Sequence, residues 1–367
     1  MPTQRIDVID GLRGIAILMV IYQHGYSIKA REVYTFFTGG YPWILGHGWM
    51  GVGIFFILSG FVLAIPFASG RSKLASSEDI RNFLRRRAKR LLPLFIFAAF
   101  VSYGFSMHAG APQTRSLLLT LTTLTMFSKT NFFPLINGPF WSLAVEIWFS
   151  ILCPFILAYM FRHNVVRALL AICLFSLVVR IAGTYFPFSN LQVNPVKDSV
   201  FGRLDDFAIG IAVAIAFVKG KLPKWGDMHA FAGICLILGT AVLWDSQLQM
   251  PKFATAFFNL GLQAGVVLIV VAALGSARFT QAVLSMWFLR LAGAMCFSLY
   301  CWHGLLIGPT MQANPLKFQS IVSFWSALVV ISCFSYRFIE FPMKSAREIF
   351  FLKKVSPDST ASKLSET

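Results

Sequence analysis

The chain has 367 residues, 57% of them apolar and 13% charged, with a formal net charge of +17. A soluble domain is about a quarter charged, so an ordinary soluble fold is excluded and the polytopic membrane class is indicated. The surplus of Lys and Arg collects in short segments between apolar runs, the positive-inside pattern, and is not spread over a soluble surface as in a nucleic-acid binder. A lipid bilayer is therefore an expected partner, and nucleic acid is not.

At about 20 mostly apolar residues per span, the predicted spans fall at 12–30, 50–69, 90–108, 138–161, 166–184, 203–219, 229–245, 256–276, 290–311 and 319–340. The fold expected is all-α: a polytopic membrane helix bundle of about ten transmembrane helices. The stretch "SLLLTLTTLTMF" (116–127) is too short and Thr-rich to cross and is expected to be re-entrant or interfacial. The segment "GRSKLASSEDIRNFLRRRAKR" holds eight Lys or Arg, and Arg162 to Arg167, Lys219 to Lys224, Arg278 to Arg290 and Lys344 to Lys354 are also basic. All fall on one side, the cytoplasmic one, if 116–127 does not cross, and both termini then lie there too. The N-terminus lacks a small-x-small cleavage site and carries Asp7 and Asp10 among its basic residues, so it is expected to remain as the first span. Residues 1–345 are read as one integral-membrane domain and 346–367 as a polar, disordered cytoplasmic tail. Six cysteines lie within apolar stretches without a CxxC and are read as packing residues.

The polar residues inside the spans carry the functional argument. In this orientation His24, His303, Glu146, Arg203, Asp205 and Asp206 reach the outer half from four separate spans. Ionisable groups at such depth are costly and usually face a functional cavity. Taken singly, a span histidine can be interhelical glue, Glu146 can pair with an arginine as structure, and Asp206 can be interfacial. In "IDGLRGIAILMVIYQHG" (9–25), Arg13 and His24 fall within roughly 20° on one helix face, about 16 Å apart, with Asp10 close to the same stripe. That face suits a long ligand with an anionic head inside and a reactive end deep in the bundle. The cluster "RRRAKRLLP" (85–93) offers guanidinium forks for phosphate, and equally the ordinary topological anchor.

Several patterns are discarded. "GHGWMG" (46–51) spells G-x-G-x-x-G, with no strand before it and no βαβ unit around it. Ser59 in "FFILSGF" lacks a G-x-S-x-G setting. His24, His303 and Glu146 could form a two-His-carboxylate metal set, but the close spacing of known metal motifs is missing, so no metal is expected.

Together these stretches resemble the membrane acyltransferase-3 family. The resemblance rests on "IDGLRGIAILMVIYQH", "GVGIFFILSGFVL" (51–63), "FLRRRAKRLLPLF" (83–95), "WSLAVEIWFS" (141–150), "SLYCWH" (298–303) and "FIEFPM" (338–343). It runs from Ile6 to Met343, with one departure: "VEIW" stands where the family often has a second acidic residue after Glu146. The resemblance implies transfer of an acyl group, commonly acetyl, from cytoplasmic acetyl-CoA, a donor substrate and not a bound cofactor, to a sugar hydroxyl. It implies functional roles for Arg13 and His24 and donor binding by Arg87 and Arg90. His24 is then general base or acyl acceptor, Glu146 orients or stabilises an imidazole, and His303 donates to the oxyanion, with Asp10, Arg203 and Asp205 in support.

The chain's length resembles that of acetyltransferases of exopolysaccharide, O-antigen or nodulation oligosaccharides, in a bacterial inner membrane. The first outer loop (29–49) holds Tyr34, Phe36, Phe37, Tyr41, Trp43 and Trp49, rings that suit a sugar but also any membrane interface. The alternative from another class is a transporter or flippase of an anionic amphiphile, although inverted repeats and paired broken helices are not seen.

Overall fold

The computed structural model describes residues 6–25, 46–74, 76–108, 110, 113–186, 194–247, 250–307 and 321–350. The described residues are helices and their connections, with no strand among them. Most of the outer loop 29–49, with five of its six named aromatics, and nearly all of the tail lie outside the described residues.

In chain order the helices are α1 (Asp7–Gly25), α2 (Met50–Ala68), α3 (Ser77–His108), α4 (Thr114–Leu121), α5 (Phe140–Arg162), α6 (Val165–Thr184), α7 (Leu204–Val218), α8 (Asp227–Asp245), α9 (Phe258–Leu274), α10 (Arg278–Leu284), α11 (Trp287–Ala294), α12 (Cys296–Ile307) and α13 (Ile321–Ser335). Among the described residues, 7 helices are long and apolar enough to cross a membrane by length and composition. Three expected spans fall short for separate reasons. Polar residues at both ends dilute α1, α7 has only 15 residues, and the ninth span is broken at Met295 into α11 and α12. The stretch 116–127 forms the end of α4 and a 3-10 turn at Leu124–Phe127, divided by Thr123 in the left-handed region. The 8 residues of α4 extend about 12 Å against a hydrocarbon core of about 30 Å, so this element does not cross.

The helices are apolar on the outside. α6 exposes Val166, Leu170, Leu174 and Val178, spaced by one turn, while Ser176 and Arg180 on its other side are buried. That inversion of a soluble protein's pattern marks a lipid-facing surface. All six cysteines are free.

Small residues let the helices that bear the site approach closely. A Cβ on Gly14 would collide with the Leu289 carbonyl of α11, and one on Gly293 with the Asp10 carbonyl of α1. Gly60 and Gly210 do the same for α2 and α7, against the Phe207 and Ile57 carbonyls. The glycines of D-G-L-R-G therefore seat α1 against α10, through Gly11 on the Leu284 carbonyl, and against α11, through Gly14, which leaves Arg13 to face elsewhere. Polar contacts gather at the two ends of the bundle. Asp7 pairs with Arg290 at 2.8 Å and Asp227 accepts from the Thr280 hydroxyl at 2.7 Å at one end. His47 pairs with Asp245 at 3.0 Å and the Lys197 ammonium lies 5.0 Å from the Trp244 ring centre at the other.

Candidate active site

The R-x-x-R spacing puts Arg87 and Arg90 on one face of α3. That face turns inward: Arg85, Arg86 and Lys89 are exposed, while Arg87 and Arg90 are half-buried. The topological reading thus describes the outer arginines of the cluster and not these two. Arg87 and Arg90 join Arg13 of α1 and Glu146 of α5 in the wall of one cavity of about 540 Å³, with Ser59, Ser142, Cys296, Phe297 and Tyr300 also lining it. Four residues expected from the sequence are brought together here.

Within the cavity, Arg87 Nη2 donates to Glu146 Oε1 at 3.1 Å, and its Nε and Nη2 reach the Ser150 hydroxyl at 3.3 and 3.2 Å. Ser59 donates to the same carboxylate oxygen at 3.3 Å. The partners of Glu146 are therefore an arginine and a serine, and neither histidine is hydrogen-bonded to it among the described residues. The arginine partner weighed for it as structure is the one observed, at the wall of a cavity. Arg13 feels the negative charges of Asp10, Glu146 and Glu340. Three cations around one lining carboxylate leave the cavity suited to an anion.

One helical turn or more further along, α1 and α12 bring the two histidines together. The rings of His24 and His303 lie 5.1 Å apart, edge to face. Arg13 shares the cavity with Cys296 while His24 meets His303, so the two helices run in the same direction, as the span order required. Each ring is oriented by a carbonyl of its own helix: His24 Nδ1 lies 2.8 Å from the Val20 oxygen and His303 Nδ1 2.7 Å from that of Tyr300. Nδ1–H is the donor in both, so a neutral ring carries its lone pair on Nε2. His303 Nε2 is buried with no hydrogen-bond partner among the described residues. A neutral His303 in this tautomer accepts at Nε2, and the oxyanion-donor role expected for it requires a proton on that nitrogen.

Tyr300 connects the two halves of the site. Its ring lines the cavity and packs 5.0 Å from His303, and its hydroxyl meets Ser142 at 2.5 Å and the Pro139 carbonyl at 3.1 Å. Asn137, two residues before Pro139, donates to the Cys301 carbonyl at 3.1 Å, and a Cβ on Gly304 would strike its side-chain oxygen. The turn before α5 thereby fixes α12 on both sides of His303.

Sequence reasoning missed Tyr300 and Ser142 and set Ser59 aside as a nucleophile, although all three stand inside the quoted motifs. It also passed over Glu340 in "FIEFPM", which ends a π-helical segment, Tyr336–Glu340. Such segments recur at functional sites. Glu340 Oε1 accepts from Ser298, Oε2 has no partner among the described residues, and the carboxylate feels Arg13 and Arg90. A lone acidic residue at the very end of an apolar span was its only signal.

Arg203, Asp205 and Asp206 do not join the histidines. They form a separate buried network at the start of α7. Arg180 meets Asp205 at 2.7 Å, Arg203 meets Asp198 at 2.5 Å, and Asn259 and Gln263 donate to Asp206 at 3.0 and 2.8 Å. Asp10 is oriented by the α1–α11 crossing and lies near Arg13. Among the described residues no group of three or more His, Cys, Asp or Glu is arranged to hold a metal.

A sequence profile of the family described as "Acyltransferase domain" matches residues 6–339. "O-acetyltransferase OatA" of Staphylococcus aureus (strain NCTC 8325 / PS 47) is 24% identical over 379 residues, covering 94% of this chain and 58% of that protein. "Putative peptidoglycan O-acetyltransferase YrhL" of Bacillus subtilis (strain 168) is 25% identical, covering 97% and 59%. "Peptidoglycan O-acetyltransferase OatA" of Listeria monocytogenes serovar 1/2a is 24% identical, covering 94% and 57%. The chain thus spans just over half the length of these relatives. No solved structure matches.

Proposed function

Because this chain belongs to the membrane acyltransferase-3 family, we propose that it moves an acetyl group from cytoplasmic acetyl-CoA to a hydroxyl of a bacterial oligo- or polysaccharide. The observation that carries this reading is the juxtaposition across Tyr300 of an arginine-lined cavity and a histidine pair. Arg13, Arg87 and Arg90 bind the donor's phosphates, with Glu146 and Ser150 holding the Arg87 fork. The acyl arm extends past Tyr300 toward His24. His24 Nε2 takes the proton of the acceptor hydroxyl as that oxygen bonds to the thioester carbon. The carbon–sulfur bond then breaks, and the thiolate recovers the proton from the imidazolium. His303, with its Nε2 lone pair at the negative end of the ring dipole, stabilises the positive charge that develops on His24. Attack by His24 itself, giving an acetyl-imidazole, uses the same nitrogen and is distinguished by trapping labelled protein.

In this reading the chain sits in a bacterial inner membrane with cytoplasmic termini, so the acceptor arrives from the outer face. Two relatives carry peptidoglycan in their names, which makes a glycan strand the first acceptor to try, beside exopolysaccharide, O-antigen and lipo-chitooligosaccharide. The test is acetyl transfer by purified protein in detergent with labelled acetyl-CoA and a panel of these acceptors. Label on a sugar hydroxyl from wild type, absent from a folded His24→Ala variant, is the expected result. Equal labelling by both removes His24 from the chemistry. Absence of labelling with every acceptor leaves the transferase reading without support and makes transport of an anionic amphiphile the next assay.

A further inference from the structure

A second polar cavity, of about 330 Å³, opens at the bundle end that holds His47 and Asp245. It is lined by Trp49, Trp244, Arg180, Lys197, Arg203 and Asn259, among others. Its polar groups are one-sided. The indole N–H groups of Trp49 and Trp244 and Nη2 of Arg180 are buried without a hydrogen-bond partner among the described residues. Arg180 is 1% and Trp244 5% exposed. Burying a donor unpaired costs about 1–3 kcal/mol, and three such donors on residues that line one cavity favour a ligand rich in acceptors.

The carboxylates of this region do not line the cavity. Asp198, Asp205 and Asp206 are engaged with Arg203, Arg180, Asn259 and Gln263. Lys197 is set in place by a built turn: Asn194 accepts from the Lys197 backbone N–H at 2.7 Å and donates to the Gly183 carbonyl at 2.8 Å. Its ammonium lies 5.0 Å from the Trp244 ring centre. Burial lowers its pKa from the ordinary lysine value, with Asp198 opposing that and Arg203 and Arg180 adding to it. The rings of Trp49 and Trp244 lie 4.5 Å apart, tilted by 45°. Indole rings beside N–H donors and cations match a sugar ring that carries an anion.

We propose that this cavity binds an acidic saccharide, a sugar ring bearing a carboxylate or phosphate group, against Trp49 and Trp244 with its charge toward Lys197 and Arg180. The neighbouring Gly48 packs on Met19 and Gln23 of α1, where a Cβ would meet the Met19 carbonyl. The cavity wall is therefore anchored next to His24. A role in docking the acceptor rests on the transferase reading above, whereas the binding itself does not.

The test is calorimetric titration of the purified protein in detergent with trigalacturonate, with maltotriose as a neutral ring-matched probe, and with inorganic phosphate. The expected result is trigalacturonate at least tenfold tighter than maltotriose, the gap closing in Lys197→Met. Trp49→Phe and Trp244→Phe, which keep a ring and lose the N–H, weaken both sugars. Equal affinity for the acidic and neutral sugars in wild type overturns the proposal, as does the absence of sugar binding. Phosphate binding as tightly as trigalacturonate also overturns it, because the site is then a bare anion site. His24→Ala separates the two readings: it abolishes transfer if His24 is the base and leaves titration with trigalacturonate intact.

Discussion

Replacing His303 by leucine separates catalysis from structure. The ring is fully buried, donates one hydrogen bond to a carbonyl of its own helix, meets His24 edge to face, and carries an unpaired nitrogen. Leucine forfeits about 0.5–1.5 kcal/mol for the hydrogen bond and about as much for the ring pair. Removing the orphaned Nε2 returns about 1–3 kcal/mol. The balance lies within about 2 kcal/mol of zero, so the melting temperature in detergent should move by no more than about 5 °C. Turnover should fall about 10²- to 10³-fold, the cost of losing one preorganised dipole beside a developing charge. Melting by intrinsic fluorescence and labelled acetyl transfer on the same preparation read the two quantities. A large fall in melting temperature with turnover retained would refute the argument and make His303 a packing residue between helices.

Arg87→Ala should raise the donor KM about 10- to 100-fold, since one charge-assisted contact is worth about 1.5–3 kcal/mol, with a smaller change in kcat at saturating donor; an unchanged KM would remove Arg87 from donor binding. Asp205→Asn leaves the buried Arg180 guanidinium without its countercharge and should cost about 3–5 kcal/mol of stability, seen as a lowered melting temperature with activity per folded molecule retained. Gly14→Leu forces α1 away from the Leu289 carbonyl and should destabilise the fold by at least about 1–3 kcal/mol; wild-type melting behaviour in that variant would contradict the close α1–α11 crossing.

The polytopic helical class was legible because lipid demands long apolar runs whose backbone bonds close within each segment. Arg13, Arg87, Arg90 and His24 were legible for a related reason: polar groups stand out against such runs, and helical periodicity assigns them to a face. Depth along a span is also nearly one-dimensional, yet it does not name the partner of Glu146. A common depth does not say which neighbour a side chain meets around the bundle, and the α3–α5 packing gave this carboxylate to Arg87. Arg203 and Asp205 likewise have partners that depth does not name: Asp205 meets Arg180 of α6, and Arg203 meets Asp198. The sequence by itself determined the class of fold and which residues lie along the inward faces. Only the tertiary structure decided which inward faces meet, since that depends on where glycines such as Gly14, Gly60, Gly210 and Gly293 let two backbones approach, a pairwise property that no single helix carries.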